Sequence, residues 1–192
     1  MKRSVLGLML ACAAAMPAAA QGVHLGITGG WYIPYGTVKD YATNGWDGGL
    51  TLAIGAPMVP VTFRIDGMYG TMPGKTVTVG PETVKADFTT WSLTGNLVWT
   101  IIGKTLPTKF YLIGGIGYYN VQQKYTTSAA IPIPTVNTPA FGYNAGLGFR
   151  FTKIFIEARW TNIDGGLDLT GLTAGGGTKS LQVVPVNVGI IF

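Results

Sequence analysis

The chain has 192 residues, only 11% of them charged, 29 of them glycine, and a formal net charge of +5. One domain fits that length, and the positive charge is scattered without a basic run or RNA-binding motif, which argues against a nucleic-acid partner. After the first twenty residues no stretch approaches about eighteen uninterrupted apolar residues, so no transmembrane helix is expected, yet so little charge is odd for a domain in water.

The first residues read as an export signal. Lys2 and Arg3 form a positive start, Val5 to Met16 is apolar, Pro17 breaks the run, and Ala18, Ala19 and Ala20 are the small residues a signal peptidase requires. Residues 1–20 are therefore expected to be removed, leaving 21–192 as the mature domain. Met9-Leu10-Ala11-Cys12 loosely resembles a lipoprotein cleavage box, but it lacks leucine three before the cysteine and its apolar segment would be short. Cys12 is the sole cysteine of the chain. With the cut after Ala20 the mature protein contains no disulfide.

From residue 23 onward the pattern has a period of two, the signature of half-buried strands. In Val23 to Tyr35, Val23, Leu25, Ile27, Trp31, Ile33 and Tyr35 share one face, opposite His24, Gly26, Thr28 and Gly30. The second segment, Trp46 to Met58, sets Trp46, Leu50, Leu52, Ile54 and Met58 against Asp47, Gly49, Thr51 and Gly55. The third, Val61 to Tyr69, sets Val61, Phe63, Ile65 and Tyr69 against Thr62, Arg64, Asp66 and Met68. The fourth, Phe88 to Trp99, sets Trp91, Leu93, Leu97 and Trp99 against Thr90, Ser92, Thr94 and Asn96.

The fifth runs from Phe110 to about Val121, with Phe110, Leu112, Ile116 and Tyr118 opposite Tyr111, Gly115, Gly117 and Tyr119. In the sixth, Phe141, Tyr143, Leu147, Phe149 and Phe151 oppose Gly142, Asn144, Gly146, Gly148 and Arg150. The seventh sets Ile154, Ile156, Ala158 and Trp160 against Phe155, Glu157, Arg159 and Thr161. The eighth sets Val184, Val186, Val188, Ile190 and Phe192 against Pro185, Asn187, Gly189 and Ile191.

Short connections near 56–60, 101–108 and 152–153 alternate with long ones near 37–44, 71–86, 122–139 and 162–178. Roughly eight strands joined in this way are the pattern of an antiparallel up-and-down transmembrane β-barrel, an all-β fold. A soluble barrel would hide its apolar face and display charge. Here all five tryptophans, Trp31, Trp46, Trp91, Trp99 and Trp160, lie on the apolar parity, and no Asp, Glu, Lys or Arg does within these strand cores. Glycine and small hydroxyls on the other face solvate a surface poorly but fill a narrow lumen well. The aromatics also gather toward strand ends, as lipid-facing interfacial girdles do, with Phe192 at the short-turn end.

The stretches KFYLIGGIGYYN, FGYNAGLGFRF, IFIEARW and VPVNVGIIF resemble the outer-membrane β-barrel family that includes OmpX, the OmpA membrane domain and opacity-type proteins. The resemblance spans essentially the whole mature chain. It implies eight strands, an outer membrane of Gram-negative type, both termini in the periplasm, and a role in adhesion or envelope integrity. It also implies that Val186, Val188, Ile190 and Phe192 form the signal read by the barrel-assembly machinery, after delivery by periplasmic chaperones. Outer-membrane lipid and lipopolysaccharide are the implied surroundings, and a monomer is expected. No periplasmic peptidoglycan-binding domain is expected to follow.

Chemistry on the lumen parity is confined to Arg64, Asp66, Arg150, Glu157 and Arg159. Arg64 and Glu157 fall about four residues above a short turn, and Asp66 and Arg159 about six, on strands that face each other across an eight-stranded barrel. Opposite charges are expected to pair there, plugging the lumen, because an unpaired ion is costly away from water. No enzyme is expected: His24, the one histidine, falls at the short-turn end, so no Ser-His pair can form at the outer rim. Asp164 and Asp168 lack calcium-loop spacing, GGGTKS precedes a strand instead of a helix, and no metal or cofactor is expected.

Two readings of function remain at this level. The first is a structural or surface-interaction barrel, with KTVTVGPETVKADF in the 71–86 loop forming a protruding hairpin whose edge could pair with a partner strand. The alternative is an OmpW-like barrel passing a small hydrophobic ligand. That would need an apolar cavity in the upper lumen, whereas the lumen face reads as glycine-rich and charged. Pro185, with no donor for the ladder, is expected near the upper rim or at a bulge.

Overall fold

A computed structural model describes residues 22–55, 59–79, 82–103, 106–127, 135–168 and 177–192. The export signal with Cys12, the hairpin tip Gly80-Pro81, and much of the third and fourth long connections lie outside those residues.

Nine strands are described: β1 (Val23–Tyr35), β2 (Gly45–Gly55), β3 (Val61–Met72), β4 (Thr76–Val79), β5 (Glu82–Ile102), β6 (Thr108–Thr127), β7 (Val136–Phe151), β8 (Ile154–Asp168) and β9 (Thr178–Ile191). Each pairs antiparallel with its sequence neighbour except that β3 pairs directly with β5, because β4 is the upward continuation of β3 on the same stave. The first and last strands join, with Ile27 opposite Ile190 and Trp31 opposite Val186, and close an eight-stave ring. Closure matters because a backbone N–H or C=O left open in hydrocarbon costs several kcal/mol.

The registers keep the two parities apart. Trp31 faces Trp46 and Ile27 faces Leu50 across β1 and β2, so apolar side chains meet apolar ones on the same surface. That surface is outside: Leu50 is 67% exposed, Ile116 73% and Phe141 74%. Water would not tolerate such a belt, and lipid favours it. Trp31, Trp46, Trp91 and Trp99 are exposed on it, and Trp160 is half-buried. Three of the rings pair with neighbours near the long-loop end: Trp46 with Tyr69 at 5.8 Å, Trp91 with Tyr118 at 5.5 Å, and Trp160 with Tyr143 at 5.6 Å.

Several strands run further than the sequence pattern indicates. β5 begins at Glu82, β6 continues to Thr127 and β8 to Asp168, so parts of the expected long loops are sheet. In these extensions the alternation changes sign. Val84, Ala86 and Phe88 point inward on β5, as do Val121 and Tyr125 on β6 and Leu181 and Val183 on β9. Beyond the lipid, water lies outside the barrel, so the apolar residues must move inside. On β8 a bulge between Ile163 and Leu167, with Gly165 at φ +68°, keeps both Ile163 and Leu167 buried and blurs the period-two signal.

Pro185 is neither at the rim nor at a bulge. It sits within β9, buried and opposite Tyr32 of β1, while the ladder to β8 has no pairs between Ala158–Val186 and Thr161–Val183. The interruption in that ladder accommodates the missing N–H.

Leu93, 57% exposed on β5, tests the lipid-facing belt. Leu93→Arg should cost about 2–4 kcal/mol in urea unfolding of the barrel from lipid vesicles, and Thr94→Ser, on the lumen side of the same strand, should cost far less. Equal costs for both would contradict the assignment of faces.

Candidate functional site

The lumen is occupied at two levels. At the lower level β3 and β8 carry Arg64, Asp66, Glu157 and Arg159 on inward parity, and the narrow ring brings the two strands within side-chain reach. Arg64 Nη2 donates to Glu157 Oε1 at 2.8 Å and Arg159 Nη2 to Asp66 Oδ2 at 2.7 Å, both across the lumen. Along each strand Arg64 Nε meets Asp66 Oδ1 at 3.1 Å, and Arg159 Nε donates to Glu157 Oε1. Each cation thus touches both anions, in a closed ring of four charges.

Neutral groups take up the remaining valences. Tyr111 Oη donates to Glu157 Oε2 at 2.9 Å, Asn96 Nδ2 to Asp66 Oδ2 at 2.9 Å, and Thr51 Oγ1 to Asp66 Oδ1. Asn144 Nδ2 extends the network to Asn96 Oδ1 at 2.9 Å. The Arg64 guanidinium also stacks 5.6 Å from the Phe155 ring centroid, a cation–π contact. Tyr111 fits because Gly148 lies across from it: a Cβ there would stand 2.2 Å from the phenol ring carbon Cζ. Strand-to-strand glycine is what makes room for large lumen side chains.

Arg150 does not join this ring. It lies near the short-turn end opposite Lys109 on β6, a like charge, and forms no ion pair among the described residues. Its position one residue before Phe151, where β7 turns into β8 through Thr152 and Lys153, holds it below the level of the carboxylates. His24 is also at this end, exposed, with Nδ1 3.2 Å from the Phe192 carbonyl. On β9 Val186 is half-buried and Val188 and Ile190 are exposed, and Phe192, just past the strand's end, is exposed as well.

The upper level is apolar, contrary to the expectation of a glycine-rich and charged lumen throughout. Val38, Met72, Phe88, Val121, Ile163, Leu167, Leu181 and Val183 are all fully buried there and form one cluster. Val38 comes from a 3-10 turn at Gly36–Asp40 that follows β1 and folds over the mouth. That turn is anchored to the hairpin by Lys75 N donating to the Tyr41 carbonyl at 2.6 Å and by the Ala42–Gly74 bridge. The sign change of the alternation above Trp91 and Tyr118 was the sequence signal for this cluster.

Asp164 lies in the β8 bulge and accepts from Asn162 Nδ2 at 2.6 Å and Ser180 Oγ at 3.3 Å, so its carboxylate serves local structure. The Asp168 side chain lies outside the described residues. Among those residues no group of three or more His, Cys, Asp or Glu side chains that could hold a metal ion occurs.

No protein-family model and no curated protein sequence matches the chain. Solved structures do. Neisserial surface protein A is similar with a TM-score of 0.55 at 10% identity, over 89% of this chain and 97% of that one. A major outer membrane protein from Thermus thermophilus gives 0.54 at 12% identity, over 88% and 99%. This protein has the fold of the eight-stranded outer-membrane β-barrels. Ail, the attachment invasion locus protein of Yersinia pestis, gives 0.51 at 12% identity over 89% and 99%, in a complex with the heparin analogue sucrose octasulfate. At these identities the shared property is the barrel itself, and the outward apolar belt is consistent with the outer membrane as its location.

Within an outer-membrane barrel the four-charge ring should act as a structural unit. Glu157→Ala leaves Arg64, Arg159 and the Tyr111 hydroxyl without their shared acceptor, and should lower unfolding stability by about 3–5 kcal/mol in urea titrations. A double-mutant cycle with Arg64→Ala should show strong coupling, so additive losses would refute a shared network.

Proposed function

We propose that the protein is a closed, non-catalytic outer-membrane barrel whose role is structural or adhesive, with surface contact made through the 71–86 hairpin. The observation that carries this reading is the filling of the lumen at two levels: an ion ring below and a packed apolar cluster above. Eight strands leave room only for side chains, and here side chains from every stave use it. A conduit for a hydrophobic ligand would have to displace Met72, Phe88 and Leu181, which are fully buried. No Ser-His pair lies at the upper rim, since His24 is at the other end.

The hairpin supports the surface role. β4 pairs with β5 on one side, Val77 opposite Val84, and its other edge pairs with no strand among the described residues. Such an edge offers backbone donors and acceptors to an incoming strand. Below it, Gly74 N donating to Asp87 Oδ1 at 2.8 Å stiffens the base. Lipid and lipopolysaccharide surround the belt in this reading. Val186, Val188, Ile190 and Phe192 serve as the assembly signal, handed from periplasmic chaperones to the barrel-assembly machinery.

In planar bilayers the purified barrel should show no steady conductance, and steady single-channel openings would overturn the sealed reading. Cells displaying the wild-type barrel should adhere to extracellular-matrix-coated surfaces. Replacing residues 76–82 by a two-residue turn should abolish that adhesion while heat-modifiable gel mobility stays intact.

A further inference from the structure

Between the ion ring and the apolar cluster lies a cavity of about 40 Å³, walled by side chains that include Tyr32, Asp47, Tyr119, Asn144, Arg159 and Asn187. Tyr32 and Tyr119 also belong to the apolar cluster above, and Arg159 to the ion ring below. A water-sized body needs on the order of 10–15 Å³ of such space, so two or three fit and an organic solute does not.

The wall carries hydroxyls from Tyr32, Thr90, Ser92, Tyr119 and Thr161, yet several of its acceptors are idle. Asp47 Oδ1, Asn144 Oδ1 and Asn187 Oδ1 have no hydrogen-bond partner among the described residues, although the three side chains are only 5%, 4% and 7% exposed. Their other polar atoms are engaged. Asn187 Nδ2 donates to Asp47 Oδ2 at 3.2 Å, and Asn144 Nδ2 to Asn96. Thr90 Oγ1 on β5 is also without a partner among the described residues, so the idle oxygens of the wall come from four staves, β2, β5, β7 and β9. Gly30 sits between two of them, opposite both Asp47 and Asn187, and a Cβ there would stand 2.4 Å from Asn187 Oδ1. A buried oxygen without a partner costs free energy, and a buried carboxylate without a cation costs more.

Charge balance at the level of the cavity singles out Asp47, because the unpaired Arg150 lies beside Lys109 near the short-turn end and outside the cavity wall. Arg64 and Arg159 are matched by Asp66 and Glu157. Asp47 adds a further negative charge to the lumen, and no ion pair to it occurs among the described residues. The geometry points to a buried site for one alkali-metal cation, bound by Asp47 Oδ1 with Asn144 Oδ1 and Asn187 Oδ1 and completed by one or two waters. One carboxylate with neutral amide oxygens supplies a single negative charge, which suits a monovalent ion. A calcium ion takes six to eight oxygens, commonly several of them carboxylate, and the Arg159 guanidinium in the wall opposes a second positive charge. The ion cross-links β2, β7 and β9 at mid-lumen and adds a third layer to the seal.

The test uses the full mature barrel in detergent. Thermal unfolding midpoints are compared in sodium, potassium, rubidium and choline chlorides at equal ionic strength. At least one alkali ion should raise the midpoint over choline by on the order of 5 °C at a concentration about a hundredfold above its dissociation constant. That difference should vanish in Asp47→Asn and shrink in Asn187→Ala. Crystals of the wild-type protein grown in rubidium or thallium(I) salts should show an anomalous peak between the three oxygens, a readout that needs no variant. Equal midpoints in all salts, an unchanged salt response in Asp47→Asn, or no anomalous peak at that position would overturn the assignment and leave waters or a proton as the occupant.

Discussion

A peptide chain in hydrocarbon has no water to satisfy its N–H and C=O groups, so every one of them must find a partner in the chain. The pairing of β1 with β9 meets that requirement, because it closes the ring of eight staves and leaves only the β4 extension with an unpaired edge among the described strands. Everything else follows from that closure. Eight staves fix a narrow lumen, and a narrow lumen forces its side chains into contact whether or not they are close in sequence. Arg64 and Glu157, 93 residues apart, share a hydrogen bond for this reason.

The lumen then faces a second constraint, since polar groups drawn out of water must pair with one another. The ion ring solves this by letting each arginine reach both carboxylates, and the hydroxyl of Tyr111 and the amide of Asn96 absorb what is left. Glycines such as Gly148 and Gly30 are part of the same solution, because the large side chain on one strand occupies the space its neighbour gives up. Above the lipid the solvent is inverted and so is the barrel. Apolar residues move inside, and Val38 and Phe88 close what would otherwise be a wet mouth.

Closed barrels of this kind have their upper ends free for contact, since the chemistry of the lumen is devoted to filling it. The β4–β5 hairpin, anchored at its base to the first connection through Tyr41 and Ala42, extends a sheet edge away from the bilayer. It continues the same antiparallel ladder that forms the barrel wall.

Much of this was legible in the sequence. Period-two alternation, with every tryptophan on one parity and no charge there, determined the strands, the outward apolar face and the barrel, because lipid on one side and a narrow lumen on the other select side chains residue by residue. Even the opposed heights of Arg64 with Glu157 and Asp66 with Arg159 could be counted from the short turns. Arg150 could not be excluded from the ring by parity alone, since its isolation beside Lys109 depends on the stagger between neighbouring strands. Pro185 was displaced from its expected place because a gap in one ladder is a property of two strands together. Only the tertiary structure decided that the upper lumen is apolar, that Asp47 and Asn187 meet across Gly30, and that idle oxygens from four staves share one cavity. These arise where ring closure brings distant staves together, and no local pattern along a single strand encodes that meeting.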